Sequence, residues 1–316
     1  MNTLKKIGLT ALGTSLVASS AFAGEITASG DAGYTYSSEE VGVRTDEGYG
    51  FNHDITFSGS GELDNGFTVS TTMILIEDTG ISSSNVTLGM GGLGSIAIGN
   101  GLAGVGGAFD DVTPRAYEEN HDGMATTTAI DSLGALSDGN AVMYSSPSFD
   151  LGGASASFML GYTPEAGDSA TGEGGVSVQS GNYGSSTTAG VNVSFAGLSA
   201  GIFGEEVKDD TGRTVSGQSR RNDAMSASWF ANYTMGPVTA GVTMSESNNA
   251  RVATTGVNSG AREVTAMGIA FAVNESLSIS YNQHDMTYDK AGAGPDVDQE
   301  STGMSASYTM GSTTIG

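Results

Sequence analysis

A chain of 316 residues with 35 acidic and 11 basic side chains carries a formal charge of −24, which excludes the basic face that nucleic-acid binding needs. It has no cysteine, so neither a disulfide framework nor a thiolate metal site is available to it. No stretch beyond the first residues approaches the ~18 consecutive apolar residues of a membrane-spanning helix, which excludes a helical membrane protein.

The first element in the chain is a leader. Lys5 and Lys6 precede an apolar run from Ile7 to Val17, and Ala21-Phe22-Ala23 follows. A charged head, a short apolar middle and an A-x-A end describe a secretory signal peptide over residues 1–23, cleaved before Gly24. The remainder, 24–316, reads as one exported domain.

Two-residue alternation, the mark of a strand with two unlike faces, then dominates. Strands are expected at about 25–36, 50–60, 66–76, 83–90, 95–100, 140–147, 154–163, 185–195, 198–207, 223–235, 238–246, 262–273, 276–287 and 300–310, with a stub from 312. The clearest is Met225 to Met235, where Met225, Ala227, Trp229, Ala231, Tyr233 and Met235 share one face. Its other face, Ser226, Ser228, Asn232 and Thr234, is polar apart from Phe230. Ala189, Val191, Val193 and Phe195 alternate in the same way with Gly190, Asn192 and Ser194. The segment from Arg262 to Val273 alternates poorly, and its register is not set by pattern. Strands of about ten residues with this dyad period are what a transmembrane β-barrel uses.

Connections alternate in length. Gly61–Gly66, Gly91–Gly94, Ala196–Leu198, Gly236-Pro237 and Asn274–Ser276 suit tight hairpins, because Gly and Asn accept positive φ. Between them lie longer polar stretches, expected to be loops, at Ser37–Gly48, Pro164–Tyr183, Lys208–Arg221, Ser247–Gly260 and Asp289–Glu300. Short turns at one end and long loops at the other are the asymmetry of an outer-membrane barrel. Single-chain bacterial barrels close with an even strand number. The stub at Ser312–Gly316 is therefore expected to belong to strands that continue past the end of this sequence, the alternative being a fourteen-stranded barrel with a frayed tail.

One stretch breaks the pattern. About 101–139 holds no clear strand, and a connection of that length is usually functional or disordered. It carries Asp110, Asp111, Glu118, Glu119, Asp122, Asp131 and Asp138 against one base, Arg115. The approach Leu93-Gly94-Ser95-Ile96-Ala97-Ile98-Gly99-Asn100 resembles the fifth strand of Gram-negative general porins. Residues 109–123, FDDVTPRAYEENHDG, are similar to the constriction loops of porins from marine alphaproteobacteria, and Gly61–Gly66 resembles their first periplasmic turn. The resemblance implies an all-β, sixteen-stranded antiparallel barrel whose third extracellular loop folds inward. It also implies residence in the outer-membrane lipid of a Gram-negative bacterium, a homotrimer, and passive diffusion of small hydrophilic solutes. The chain departs from the family in lacking its terminal aromatic residue. Arg44, Arg213, Arg220, Arg221, Arg251 and Arg262 fall in loops or at strand ends, so a basic ladder opposite the loop is in question.

The physical reading of the loop stands beside the resemblance. Carboxylates in a narrow aqueous passage draw cations and repel anions, and low-dielectric walls focus their field. Asp110, Asp111, Glu118, Glu119 and Asp122 are expected at the constriction, with Arg115 as an internal counter-charge; the bland alternative is a set of solvated loop charges. No enzyme is expected: there is no G-x-S-x-G elbow, and His53, His121 and His284 are scattered. No cofactor or metal is expected either. Asp296, Asp298 and Glu300, or Glu205, Glu206, Asp209 and Asp210, could hold a divalent ion weakly, but no calcium-loop pattern is present. The alternative to a porin is a secreted or surface-attached β-rich structural or adhesive protein, with its apolar faces packed inside a sandwich.

Overall fold

The computed structural model describes residues 26–41, 44–76, 80–100, 102, 105–109, 112–117, 140–166, 183–209, 218–220, 223–248, 251–253, 261–288 and 296–316. The expected signal peptide, 1–23, lies outside them. The strands are β1 (Thr27–Val41), β2 (Arg44–Glu62), β3 (Thr68–Ile76), β4 (Gly80–Gly89), β5 (Ser95–Asn100), β6 (Ala141–Ser145), β7 (Phe149–Asp150), β8 (Ala154–Thr163) and β9 (Tyr183–Phe195). They continue as β10 (Leu198–Asp209), β11 (Gln218–Arg220), β12 (Ala224–Met235), β13 (Val238–Asn248), β14 (Arg251–Ala253), β15 (Ala261–Ala272), β16 (Leu277–Tyr288), β17 (Val297–Met310) and β18 (Thr313–Ile315). Sixteen of them form one antiparallel sheet. Its path runs from β1 to β18 in chain order, β7 joins β8 at the side, and β11 and β14 pair separately. Every strand expected from alternation lies on that path.

The turns follow from their residues. Ala196 and Gly197 both have positive φ, 47° and 89°, the geometry that matches strand twist in a two-residue hairpin. Asn274 closes its turn with its own side chain, Oδ1 accepting from Ser276 N at 2.9 Å and Leu277 N at 3.0 Å. At the opposite end the structure corrects two expected loops. β1 and β2 stay paired as far as Val41↔Arg44, through most of Ser37–Gly48. β17 begins at Val297, inside the expected loop Asp289–Glu300. Polar residues on both faces erase the alternation signal there, yet they do not prevent the backbone ladder from continuing. The loops after β10 and β13 also meet, pairing Arg220 with Arg251 across β11 and β14.

The two faces of the sheet are chemically distinct. From β12 to β16 one face carries Trp229, Tyr233, Met244, Met267, Ile269, Phe271, Ile279 and Tyr281, all exposed. The other carries Ser226, Ser228, Thr243, Ser245, Ser280, Asn282 and His284, all buried. Exposed apolar and buried polar side chains invert a soluble protein's order and fit a barrel with lipid outside and a filled polar interior. The register settles β15, whose pattern was ambiguous. Val264, Ala266 and Gly268 point inward, while Glu263, Met267 and Ile269 point outward.

The single tryptophan tests the assignment of faces, since Trp229 is 41% exposed on the apolar side. In lipid vesicles its emission is expected to be blue-shifted and strongly quenched by brominated acyl chains. Quenching by aqueous acrylamide alone would reverse the two faces.

Candidate functional site: a loop seated inside the wall

The chain leaves β5 at Asn100, and the next strand, β6, pairs with the same β5. The connection between them spans 101–140. The described part, 105–109 and 112–117, lies against the polar face. Val105 is 0% and Phe109 1% exposed, and a short 3-10 turn, Gly106–Ala108, separates them.

Phe109 is the anchor. Its ring stacks on Phe203 of β10, with centroids 5.6 Å apart, and meets Phe230 of β12 edge-on at 5.9 Å. Such aromatic pairs add to the burial term. The close approach requires glycine in the wall. A Cβ at Gly190 of β9 would lie 2.7 Å from Phe109 Cε2 and 2.7 Å from Val105 Cγ1, and one at Gly201 of β10 would lie 2.7 Å from Phe109 Cε1. Removing the side chain at these two positions opens the slot that the ring fills.

Downstream, wall side chains satisfy the loop's backbone. Asn232 Nδ2 of β12 donates to Val112 O at 2.7 Å, and Asn282 Nδ2 of β16 donates to Pro114 O at 2.8 Å. The amide of Ala116 donates to Ser280 Oγ at 2.9 Å. Thr113 Oγ1 and Thr243 Oγ1 of β13 share a hydrogen bond at 3.2 Å. Gly268 of β15 leaves room for the Pro114 carbonyl, and Tyr117 lies against Gly316 just past β18. Buried backbone groups must be paired, and here polar side chains of the wall do it in place of a ladder. The loop thus crosses the inner face from β9 to β16 on an apolar clasp followed by a row of polar ties.

The expected site residues divide. Arg115 is described, half-buried and next to the Pro114 tie. Asp110, Asp111, Glu118, Glu119 and Asp122 lie outside the described residues, as does His121. Sequence reasoning missed the seat itself. Its one visible signal was Phe230, the apolar exception on a polar face, and its purpose is the clasp. The other constellations do not assemble. His53 faces outward against Phe51, with ring centroids 4.9 Å apart, whereas His284 is buried on the inner face. Glu205 points inward and accepts from Ser186 Oγ at 2.6 Å, while Glu206 points outward to the Lys208 ammonium. Among the described residues no group of three or more acids or histidines could hold a metal ion.

Comparison with known proteins agrees with this architecture. No curated protein sequence matches the chain significantly. OmpF of Salmonella typhi, solved in complex with daunomycin, is similar over 91% of this chain and 86% of its own, with 16% identity and a TM-score of 0.66. OmpT of Vibrio cholerae is similar over 90% of this chain and 82% of its own, with 12% identity and a TM-score of 0.60. A porin refined to high resolution covers 91% of both chains at 15% identity and a TM-score of 0.58. The family model for Gram-negative porins matches residues 8–315, so the chain belongs to the Gram-negative porin family and is an outer-membrane β-barrel channel.

Proposed function

We propose that this porin passes small hydrophilic solutes and ions by passive diffusion, with a preference for cations, and that residues 101–139 form its constriction. The observation that carries the reading is the seated loop. Residues 105–109 and 112–117 lie against the inner wall, and the acids Asp110, Asp111, Glu118, Glu119 and Asp122 fall between or after them in sequence. Acids held in a narrow passage raise the local cation concentration, and Arg115 moderates their field. Loss of Lys5 and Lys6 with the leader would take the net charge from −24 to about −26, in the same direction. A homotrimer is part of the proposal. Support comes from the family resemblance and from the exposed aromatic patch Tyr34, Tyr36, Tyr49 and Phe51 on the outer face of β1 and β2, suited to a neighbouring subunit or lipid.

The test is planar-bilayer conductance of the detergent-folded chain across a KCl gradient. Discrete current steps with a reversal potential of the cation-selective sign are expected. Changing Asp110 and Asp111 to Asn, together with Glu118 and Glu119 to Gln, should shrink that potential while the steps persist. Steps with an anion-selective or zero potential in the unmodified chain would sink the cation preference and leave a nonselective pore.

A further inference from the structure

The outer face carries its acids at one level. By register, Glu246 of β13, Glu263 of β15, Asp285 of β16 and Glu300 of β17 point the same way as Met244, Met267 and Tyr281. Each stands eight residues along its strand from an outward residue at the turn end, namely Val238, Phe271, Leu277 and Tyr308. At about 3.3 Å per residue and a strand tilt of about 40°, that is a height of about 20 Å, near the top of an apolar band about 25 Å tall. Barrels usually place aromatic residues at this head-group level, and Tyr162 holds the matching position on β8. From β13 to β17 carboxylates hold it instead.

These acids meet in pairs. Glu246 is directly opposite Glu263, and Asp285 directly opposite Glu300. Like charges so placed repel unless something neutralises them. On β10 the chain supplies the neutraliser itself, since Glu206, at the same level, is bridged to the Lys208 ammonium, which also meets Asp223 at 2.9 Å. Glu246, Glu263 and Glu300 are exposed, and among the described residues no cation pairs with them. Beside the first pair a groove of about 340 Å³ opens on the outer face. Ile202, Trp229 and Met244 line its turn-side part, and Glu246, Glu263 and Thr265 its loop-side end. An apolar trough with a doubly negative end is complementary to an amphiphile with a positive head.

We propose that this face docks a membrane lipid whose head group carries a primary ammonium, the ammonium lying between Glu246 and Glu263 and an acyl chain running along Trp229 and Met244. An ammonium has three donors, which two carboxylates and the Thr265 hydroxyl satisfy. A divalent cation fits less well. Calcium takes six to eight oxygens, the pair offers at most four, and among the described residues no three acids converge. The groove sets the class of partner, because its apolar part lies in the lipid-facing band and a purely hydrophilic cation would leave it unfilled. The site is on the outside of the channel and does not depend on the ion preference of the pore.

Trp229 is the only tryptophan of the chain and lines the groove, so it reports occupancy directly. The folded chain is placed in phosphatidylcholine vesicles holding a minor fraction of a dibrominated-acyl lipid with a lysyl, a phosphocholine or a phosphate head group. Quenching of Trp229 is expected to show the lysyl lipid enriched at the groove roughly threefold or more over the phosphocholine lipid. Glu246→Gln with Glu263→Gln should abolish that enrichment. Quenching by the phosphocholine lipid should stay as it was, which shows that the variant still folds into the bilayer. Glu275→Gln, in a turn at the opposite end, should change nothing. Equal quenching by the lysyl and phosphocholine lipids would overturn the proposal, as would an enrichment that survives the double Gln variant. Enrichment of the phosphate lipid alone, on adding calcium and reversed by chelation, would overturn it in favour of a divalent bridge. Quenching by none of the three would overturn the site together with the assignment of the outer face.

Discussion

Phe109→Ala is expected to free the seated loop from its wall. The ring is fully buried between Phe203 and Phe230, and emptying such a site costs about 3–5 kcal/mol when the surroundings cannot collapse. Here the surroundings are ladder-bonded strands, which have little freedom to close the gap. Single-channel conductance should rise, on the order of twofold, with added current noise as the loop samples several positions. The barrel should fold as before, because Phe109 takes no part in the strand ladder; heat-modifiable migration on a gel checks this. A coupled variant identifies the cause. Gly190→Ala places a methyl group 2.7 Å from the Phe109 ring and should cost about 1–3 kcal/mol by overpacking. In the Phe109→Ala background the contact with the ring is relieved and only that with Val105 Cγ1, also 2.7 Å, remains, so the two effects should fall short of additive. Additive effects would mean that ring and glycine do not share one site.

Gly268→Val is expected to dislodge the other half of the loop. A Cβ there would meet the Pro114 carbonyl oxygen, lie 2.6 Å from Asn282 Nδ2 and 2.9 Å from Thr113 Cγ2. The obstacle is backbone, not the end of a flexible side chain, so the loop must move as a unit. The tie from Asn282 to Pro114 O should break, leaving a buried amide and a buried carbonyl to find other partners, at about 1–3 kcal/mol each. The expected readout is a change in both conductance and cation preference, since the residues after Pro114 lead directly to Glu118 and Glu119. Phe109→Ala should not rescue it, because the clasp lies on β9, β10 and β12, whereas Gly268 and the Asn282 tie to Pro114 lie on β15 and β16. Unaltered conductance and selectivity in Gly268→Val would show that the ties do not set the position of the loop.

The strands and their two faces were legible because alternation is local. Each strand writes its lipid-facing and inner residues into its own sequence, and Met225 to Met235 needs no partner to be read. Tight turns were legible for a similar reason, since Gly, Asn and Pro restrict a few neighbouring dihedrals. The stretch proposed as the constriction stood out as the one long interruption between Asn100 and Ala141. Where both faces of a strand are polar, as from Ser37 to Val41 and from Val297 to Glu300, the signal vanished although the ladder did not.

Only the tertiary structure decided where the loop goes. Its ties join residues far apart in sequence, 130 positions for Thr113 with Thr243 and 168 for Asn282 with Pro114, and no local period encodes such pairs. Phe230 on a polar face and the weak alternation of Arg262 to Val273 both interrupted the pattern. They did so because the inner wall of β12 and β15 is shaped to receive the loop, with an aromatic in one place and a bare glycine in the other. The pairing of Asp31 with Asp54 is of the same kind. Each acid reads singly as an ordinary strand-borne charge, and only the register of β1 on β2 sets the two opposite each other.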